Sequence, residues 1–302
     1  MNERSSAGAT LHLPTRFEVG APFSERHPWV YPAAVRYHQA RRWLRWLTSG
    51  TRWATSQQTD PLPNRVKQHK SLLMRQLGES EMWLQRNKVV NLRLACERTN
   101  GVLIRPGESM SFNRVVGNCT ARRGFVEGMR LSNGQAHPGV GGGICQLANL
   151  IHWMVLHSDL VVTERSEHSF DPFPDNGRVL PWGVGCSIVY NYVDLVVHND
   201  TDRTYQLLTS VGDRYLEGEL RTDEPSAYSF KVFARDEQFL KKDGEIFRRN
   251  EIWRERIDRR TGERVGEELV KRNCALVTYT PQGVEVIDLD QPREPQPVDQ
   301  TW

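Results

Sequence analysis

The sequence predicts an α+β fold: a helical amino-terminal region, then a mostly antiparallel β domain with one glycine-capped helix carrying Cys145. Three observations lead there. Helix-period segments are confined to the first hundred residues and to one stretch after Gly143. Short runs of strand composition fill most of the remainder, separated by turn pairs such as Asn199-Asp200 and Gly212-Asp213. A glycine run, Gly139-Val140-Gly141-Gly142-Gly143, stands directly before the isolated helix.

Taken in order, residues 1–63 read as an irregular lead with one helix and a linker. The helix spans Pro32 to Leu47, with Val35, Gln39, Trp43, Trp46 and Leu47 near one face and Arg41, Arg42 and Arg45 elsewhere. Such a helix either lies on a membrane surface or docks its tryptophans on the domain and leaves its arginines in water. Thr51 to Pro63 is the polar linker, broken by Asp60-Pro61 and Pro63.

Residues 64–222 form the main domain. Helices are expected over Asn64–Leu77 and Ser80–Thr99, the second stopped by Asn100-Gly101. Val102-Leu103-Ile104 reads as a strand ending at Pro106-Gly107. Further strands are expected at Leu160–Glu164, Ser187–Tyr190, Asp194–His198, Tyr205–Val211 and Tyr215–Arg221, with the one internal helix over Ile144–His157. Residues 223–287 read as an antiparallel hairpin extension, turning at Asp243-Gly244 and Thr261-Gly262. Residues 288–302, with Pro292, Pro295 and Pro297, read as a disordered tail.

Composition narrows the function classes. With 302 residues, 38% hydrophobic and 25% charged, the chain can bury a real core. A net charge of +3 gives no reason to expect nucleic acid as a partner. No stretch approaches the roughly 18–20 apolar residues of a membrane span. The polar start Met1-Asn2-Glu3-Arg4-Ser5-Ser6 leads into no apolar signal region, so the expected location is cytoplasmic, with membrane-peripheral contact as a variant. Cys96, Cys119, Cys145, Cys186 and Cys274 are odd in number and include no Cys-x-x-Cys pair. Reduced thiols are expected, not a disulfide framework. Cys145, His152, His168 and Glu164 lack the close spacing of zinc ligands, so neither metal nor cofactor is expected. The oligomeric state is not legible.

The segment His137-Pro138-Gly139-Val140-Gly141-Gly142-Gly143-Ile144-Cys145-Gln146-Leu147 is the one that points to chemistry. Glycines give up backbone order, which is costly unless the chain needs positive φ or close approach by another group. Unpaired N–H groups at a helix start favour negative charge, so a thiol in the first turn is expected to have a lowered pKa. The same groups can hold the oxyanion of an acyl intermediate. The segment lacks the Lys-Ser/Thr of a phosphate-binding loop. The alternative is a tightly packed structural cysteine. His168, in a loop after a predicted strand, is the candidate base, with Glu164, Ser169 and Asp171 placed to orient its ring. Its alternative is a solvated surface histidine. His152, two turns along the helix from Cys145, reads as a packing residue.

These residues carry a resemblance. Gly141-Gly142-Gly143-Ile144-Cys145-Gln146, then Glu164-Arg165 and His168-Ser169, then Asn191-Tyr192-Val193-Asp194-Leu195 and Asn199-Asp200-Thr201, resemble the VanW family in order and spacing. Pro106-Gly107-Glu108-Ser109-Met110-Ser111-Phe112-Asn113 and Val116-Gly117 match its upstream elements, and the whole covers about residues 80–215. Ala148 stands where the family commonly has Ser or Thr. The resemblance implies a bacterial protein connected with glycopeptide resistance and the cell wall. It also implies that some members are L,D-transpeptidases, which join peptidoglycan stem peptides through a cysteine thioester at the position of Cys145.

The expected activity is therefore cysteine-dependent acyl transfer on a peptidoglycan-type peptide or wall precursor. Cys145 attacks, His168 moves the proton, N–H groups near Ile144–Gln146 hold the oxyanion, and Asp171 or Glu164 orients His168. Gly141, Gly142, Gly143, Gln146, Ser169 and Asn191 are the substrate-binding candidates. The rival is a non-catalytic module that binds a wall precursor or partner protein through the same glycine-lined segment.

Overall fold

A computed structural model describes residues 31–74, 82–132, 135–166, 170–172, 174–175 and 178–291. The lead before residue 31 and the tail after residue 291 lie outside these residues.

The centre is a helix-on-sheet layer. Strands β2 (Asn64–Leu72), β3 (Val102–Ile104), β10 (Tyr205–Val211) and β11 (Tyr215–Thr222) form an antiparallel sheet in the order β2-β11-β10-β3. Strand β11 shows the period-two burial of a sheet with one covered face, with Leu216, Gly218, Leu220 and Thr222 inward. Helices α2 (Met82–Thr99) and α4 (Cys145–Val155) cover that face, α2 on β10 and α4 on β11 and β2. Nearly every residue of α4 from Leu147 onward is buried, as expected of a helix that is apolar all round. Leu92, Ala95, Leu147, Leu150, Ile151, Met154, Leu207, Leu216 and Leu220 belong to one continuous core.

The expected helix over Asn64–Leu77 is not present: residues 64–72 are strand β2. Its Arg, Lys and Gln residues favour a helix weakly, and pairing along β11 outweighs that preference. Exposed charges of the two strands pair across the ladder, Lys70 with Glu217 at 2.8 Å and Arg65 with Glu219 at 3.7 Å. The expected strand at Ser187–Tyr190 is a turn closed by a bridge between Val189 and Val193. Asn191 takes φ +53° there, a left-handed conformation that Asn tolerates better than most residues.

A second sheet, in the order β1-β4-β9-β7, joins β1 (Arg52–Trp53), β4 (Glu108–Ser111), β9 (Val196–His198) and β7 (Val161–Glu164). Ser111 ends β4 and caps the short helix α3 (Phe112–Val116), accepting from the Arg114 N–H at 3.1 Å. Strands β5 (Glu127–Ser132) and β6 (Gln135–Val140) form a hairpin that delivers the glycine run to α4.

Helix α1 (Tyr31–Thr48) buries Trp46. Its arginines do not all stay in water: Arg42 forms a two-pronged ion pair with Glu164 of β7. Among the described residues no helix is long and apolar enough to cross a membrane.

The carboxy-terminal part is a long antiparallel meander, as its turn residues predict: β12 (Tyr228–Lys242), β13 (Glu245–Asp258) and β14 (Arg264–Val277). β15 (Val286–Asp288) and β8 (Phe170–Asp171) pair parallel to its edges. Arg248 is the fixed point of this sheet. Its buried guanidinium meets Asp171 at 3.1 Å, also pairs with Asp175 and Glu237, and lies over the rings of Trp182 and Phe239 at 5.0 and 5.2 Å. Burial alone would lower its pKa, but the hydrogen-bonded carboxylates overcome that and raise it.

Removing Arg248 would leave the buried Asp171 carboxylate with only the more distant Arg178, at 3.7 Å. Arg248→Ala is therefore expected to cost about 3–5 kcal/mol in denaturant unfolding. Arg248→Lys, which keeps the charge and loses the fork, is expected to recover only part of it.

Candidate functional site

The glycine run is held by α2. Asn91, fully buried on that helix, donates to the carbonyls of Val126 at 3.0 Å and Gly142 at 2.9 Å. Its own oxygen accepts from the Val126 N–H at 2.9 Å. One side chain thus ties the start of the β5 hairpin to the loop that leaves it. The Gly141 N–H adds a bond to the Val126 carbonyl at 2.9 Å.

The contacts leave no room for side chains. A Cβ on Gly142 would run into the Gly128 backbone, and one on Gly141, at φ +78°, would collide with Cys119. Gly143, at φ +91°, lies against the buried stem of Lys88. Packing and positive φ thus account for all three glycines.

Cys145 opens α4 from this seat. The N–H groups of Gln146 and Leu147 are already used, donating to the carbonyls of Gly143 at 3.1 Å and Ile144 at 2.9 Å. The Ile188 N–H, the local backbone N–H and the Arg130 guanidinium lie where each favours negative charge on the sulfur. Burial outweighs these three and pushes the thiol pKa up, the reverse of the lowering expected from its helix position. The residue is half-buried, with some of its surface open to solvent. Cys119 lies close enough to Cys145 to feel its charge, and burial pushes Cys119 up to about 11.

Three bonds fix the strip that carries Ile188. The Cys186 N–H donates to Asn149 Oδ1 of α4 at 2.5 Å, and the Ser187 N–H donates to the Ser166 carbonyl at 2.7 Å. Arg165 Nε donates to the Gly185 carbonyl at 3.0 Å. Segment 165–166 therefore runs beside the strip that faces Cys145.

The other sequence candidates divide. His168 and Ser169 lie outside the described residues. Gln146 is a structural tie, donating to Ser71 Oγ and the Leu72 carbonyl, both at 2.9 Å. Glu164 is held by Arg42. Asp171 is held by Arg248 and accepts from Tyr279 Oη at 3.0 Å. Among the described residues no hydrogen bond or ion pair joins either carboxylate to Cys145. His152 is buried with Nδ1 2.8 Å from the Val184 carbonyl, and burial lowers its pKa to about 3, so it packs as a neutral ring.

Asn191 is fully buried in the turn that follows Ile188, and neither atom of its amide has a hydrogen-bond partner among the described residues. A buried, unsatisfied amide is costly, and calls for a partner. Asn91, Asn149, Arg130 and Ile188 were not singled out from sequence. Only Asn91 carried a signal, a polar residue on the core-facing stripe of α2 with Leu84, Lys88, Leu92 and Ala95. A separate cleft of about 270 Å³, lined by Asp159, Phe230, Arg254, Arg256, Glu267 and Glu268, contains none of the candidates.

Comparison with known proteins places these residues in a family. The model described as VanW like protein matches residues 87–221. The chain is 32% identical over 212 residues to the vancomycin B-type resistance protein VanW of Enterococcus faecalis (strain ATCC 700802 / V583), covering 70% of this chain and 77% of that one. It is 31% identical over 96 residues to the uncharacterized protein YoaR of Bacillus subtilis (strain 168), 31% of this chain and 32% of that one. No solved structure matches. The chain belongs to the VanW family.

Asp194, in the matched region, supports the same turn. It accepts from Ser111 Oγ at 2.5 Å and from the N–H groups of Asn113 and Leu195, each at 2.9 Å. Burial nevertheless raises its pKa from 3.8 to about 6. The folded state therefore holds this proton more tightly than the unfolded chain, and the stability linked to it is present in acid and lost as pH rises through about 6. Asp194→Asn removes the titration and keeps an oxygen for the two N–H donors. Relative to wild type, the variant should gain up to about 3 kcal/mol in urea unfolding between about pH 4 and pH 7.

Proposed function

We propose that this VanW-family protein performs Cys145-dependent acyl transfer on a peptidoglycan-type peptide. One observation carries the reading: Cys145 opens α4 beside the Ile188 N–H and the Arg130 guanidinium, both of which favour negative charge on its sulfur. A cysteine serving only as a small apolar filler needs no surroundings that favour its anion.

In this reading the resting group is a neutral thiol, because burial keeps its pKa high. It needs a base at the moment of attack. His168 is the candidate, two residues along the chain from Ser166, whose carbonyl holds Ser187 beside Ile188. His168 takes the thiol proton as sulfur bonds to the peptide carbonyl carbon. The Ile188 N–H beside the sulfur is the donor for the developing oxyanion. The tetrahedral intermediate collapses, the leaving amine takes the proton from His168, and a thioester remains on Cys145. An acceptor amine then attacks the thioester, loses its proton to His168, and the thiol is restored. The unpaired Asn191 amide is fully buried, so it serves the peptide backbone only where the turn after Ile188 opens to admit it. Glu164 and Asp171, each paired with an arginine, are the proposed orienting carboxylates for His168. The Enterococcus relative is named for vancomycin B-type resistance, and wall-peptide chemistry would put this chain in a related process.

A second reading, a binding module without chemistry, draws on two observations. The glycines are filled by protein neighbours, and the thiol pKa is raised. Intact-mass spectrometry of the full chain with a peptidoglycan stem peptide separates the two. Acyl transfer predicts a covalent adduct that disappears in Cys145→Ala and forms about 100-fold more slowly or worse in His168→Ala. Peptide binding that survives Cys145→Ala, with no adduct at any time, would favour the module.

A further inference from the structure

Helix α1 has two faces, and only one meets the protein. Trp46 and Arg42 mark the inner face: Trp46 is buried and Arg42 is spent on Glu164. On the outer face Tyr37, Leu44 and Leu47 are 64%, 61% and 75% exposed, with Trp43 at their margin 48% exposed. Tyr37 and Leu44, seven residues apart, share a line along the helix. Arg36, Arg41 and Arg45 flank this stripe, all exposed and in no ion pair among the described residues. The eighteen-residue helix contains no Asp or Glu.

We propose that the outer face of α1 docks on an anionic bilayer surface. Its arginines meet lipid phosphates while Tyr37, Leu44 and Leu47 enter the boundary between headgroups and acyl chains. Charge selects this occupant over a second copy of the chain. A symmetric pair of α1 helices would bring one arginine set against the other with no acidic residue on either helix to offset it. The stripe is also continuous with the turn beside Cys145. Tyr192 is 58% exposed and packs edge-on against His38 at 5.2 Å, and Arg42 donates to the Tyr192 carbonyl at 3.4 Å. Docking thus brings the Ile188–Val193 turn to the membrane surface. There, on the acyl-transfer reading proposed above, Cys145 would meet a peptide that is itself anchored in lipid.

Flotation of the full chain with vesicles of phosphatidylcholine containing roughly 30% phosphatidylglycerol tests this at about 0.1 M salt. Wild type should float with these vesicles and at least about tenfold less with phosphatidylcholine alone. The pairs Arg41→Glu with Arg45→Glu, and Leu44→Gln with Leu47→Gln, should each weaken binding about tenfold or more. Both pairs alter exposed side chains, so unchanged thermal unfolding confirms that the fold is intact. Cys145→Ala should float as wild type does, which separates docking from the chemistry. The proposal is overturned by absent binding to the anionic vesicles or by equal binding of the variants. A dimer in light scattering that the Leu variants dissociate, without flotation, would assign the face to self-association instead.

Discussion

A single buried amide organises this molecule. Asn91 bonds at once to the chain entering the β5–β6 hairpin and to the glycine loop leaving it. The two stretches are thereby held in backbone contact at Gly128 and Gly142, closer than any side chain allows. The start of α4 follows from that contact. With α4 seated on the central sheet, Cys145 faces the Ile188 strip, and Asn149 on the same helix pins that strip in place. In a low-dielectric interior such a network either closes fully or costs heavily, which is why three elements distant in sequence settle in one arrangement.

The same packing that positions the cysteine also strips much of the water from its sulfur. A helix start alone favours a thiolate, but the gain from local N–H groups and one guanidinium is smaller than the cost of desolvating the anion here. On the acyl-transfer reading, a protected thiol suits a reaction in which base and substrate arrive together. Two candidate carboxylates carry structure. Glu164 anchors α1 through Arg42, and Asp171 anchors the meander through Arg248.

Local signals made most of the architecture legible. Turn pairs and period-two patterns mark β10 and β11 to within a residue or two. They also place the two turns of the meander, whose strands run longer than the short ones the sequence suggests. Helix α2 ends where Asn100-Gly101 stops it. Strand β2 was missed because its polar, helix-tolerant residues become a strand only by pairing with β11, about 150 positions away. Cys145 stood out through its glycines. The reason for those glycines did not, since Gly128, Cys119 and Lys88 are neighbours in space and not in sequence. Asn191 was noted as part of a motif, and its value, a buried amide without a partner, is visible only in three dimensions. Ile188 contributes a backbone N–H, which no sequence pattern reveals.

The account turns on burial keeping Cys145 a neutral thiol in the seat set by the Asn91 clamp. The pH dependence of its alkylation, read by peptide mass spectrometry in wild type and in Asn91→Ala, tests this most directly. The account predicts that wild-type Cys145 reacts with an inflection above the ordinary thiol value of about 8.5, and that Asn91→Ala lowers the inflection and speeds the reaction. An inflection near pH 6 in the wild type, or a profile indifferent to Asn91, would contradict it.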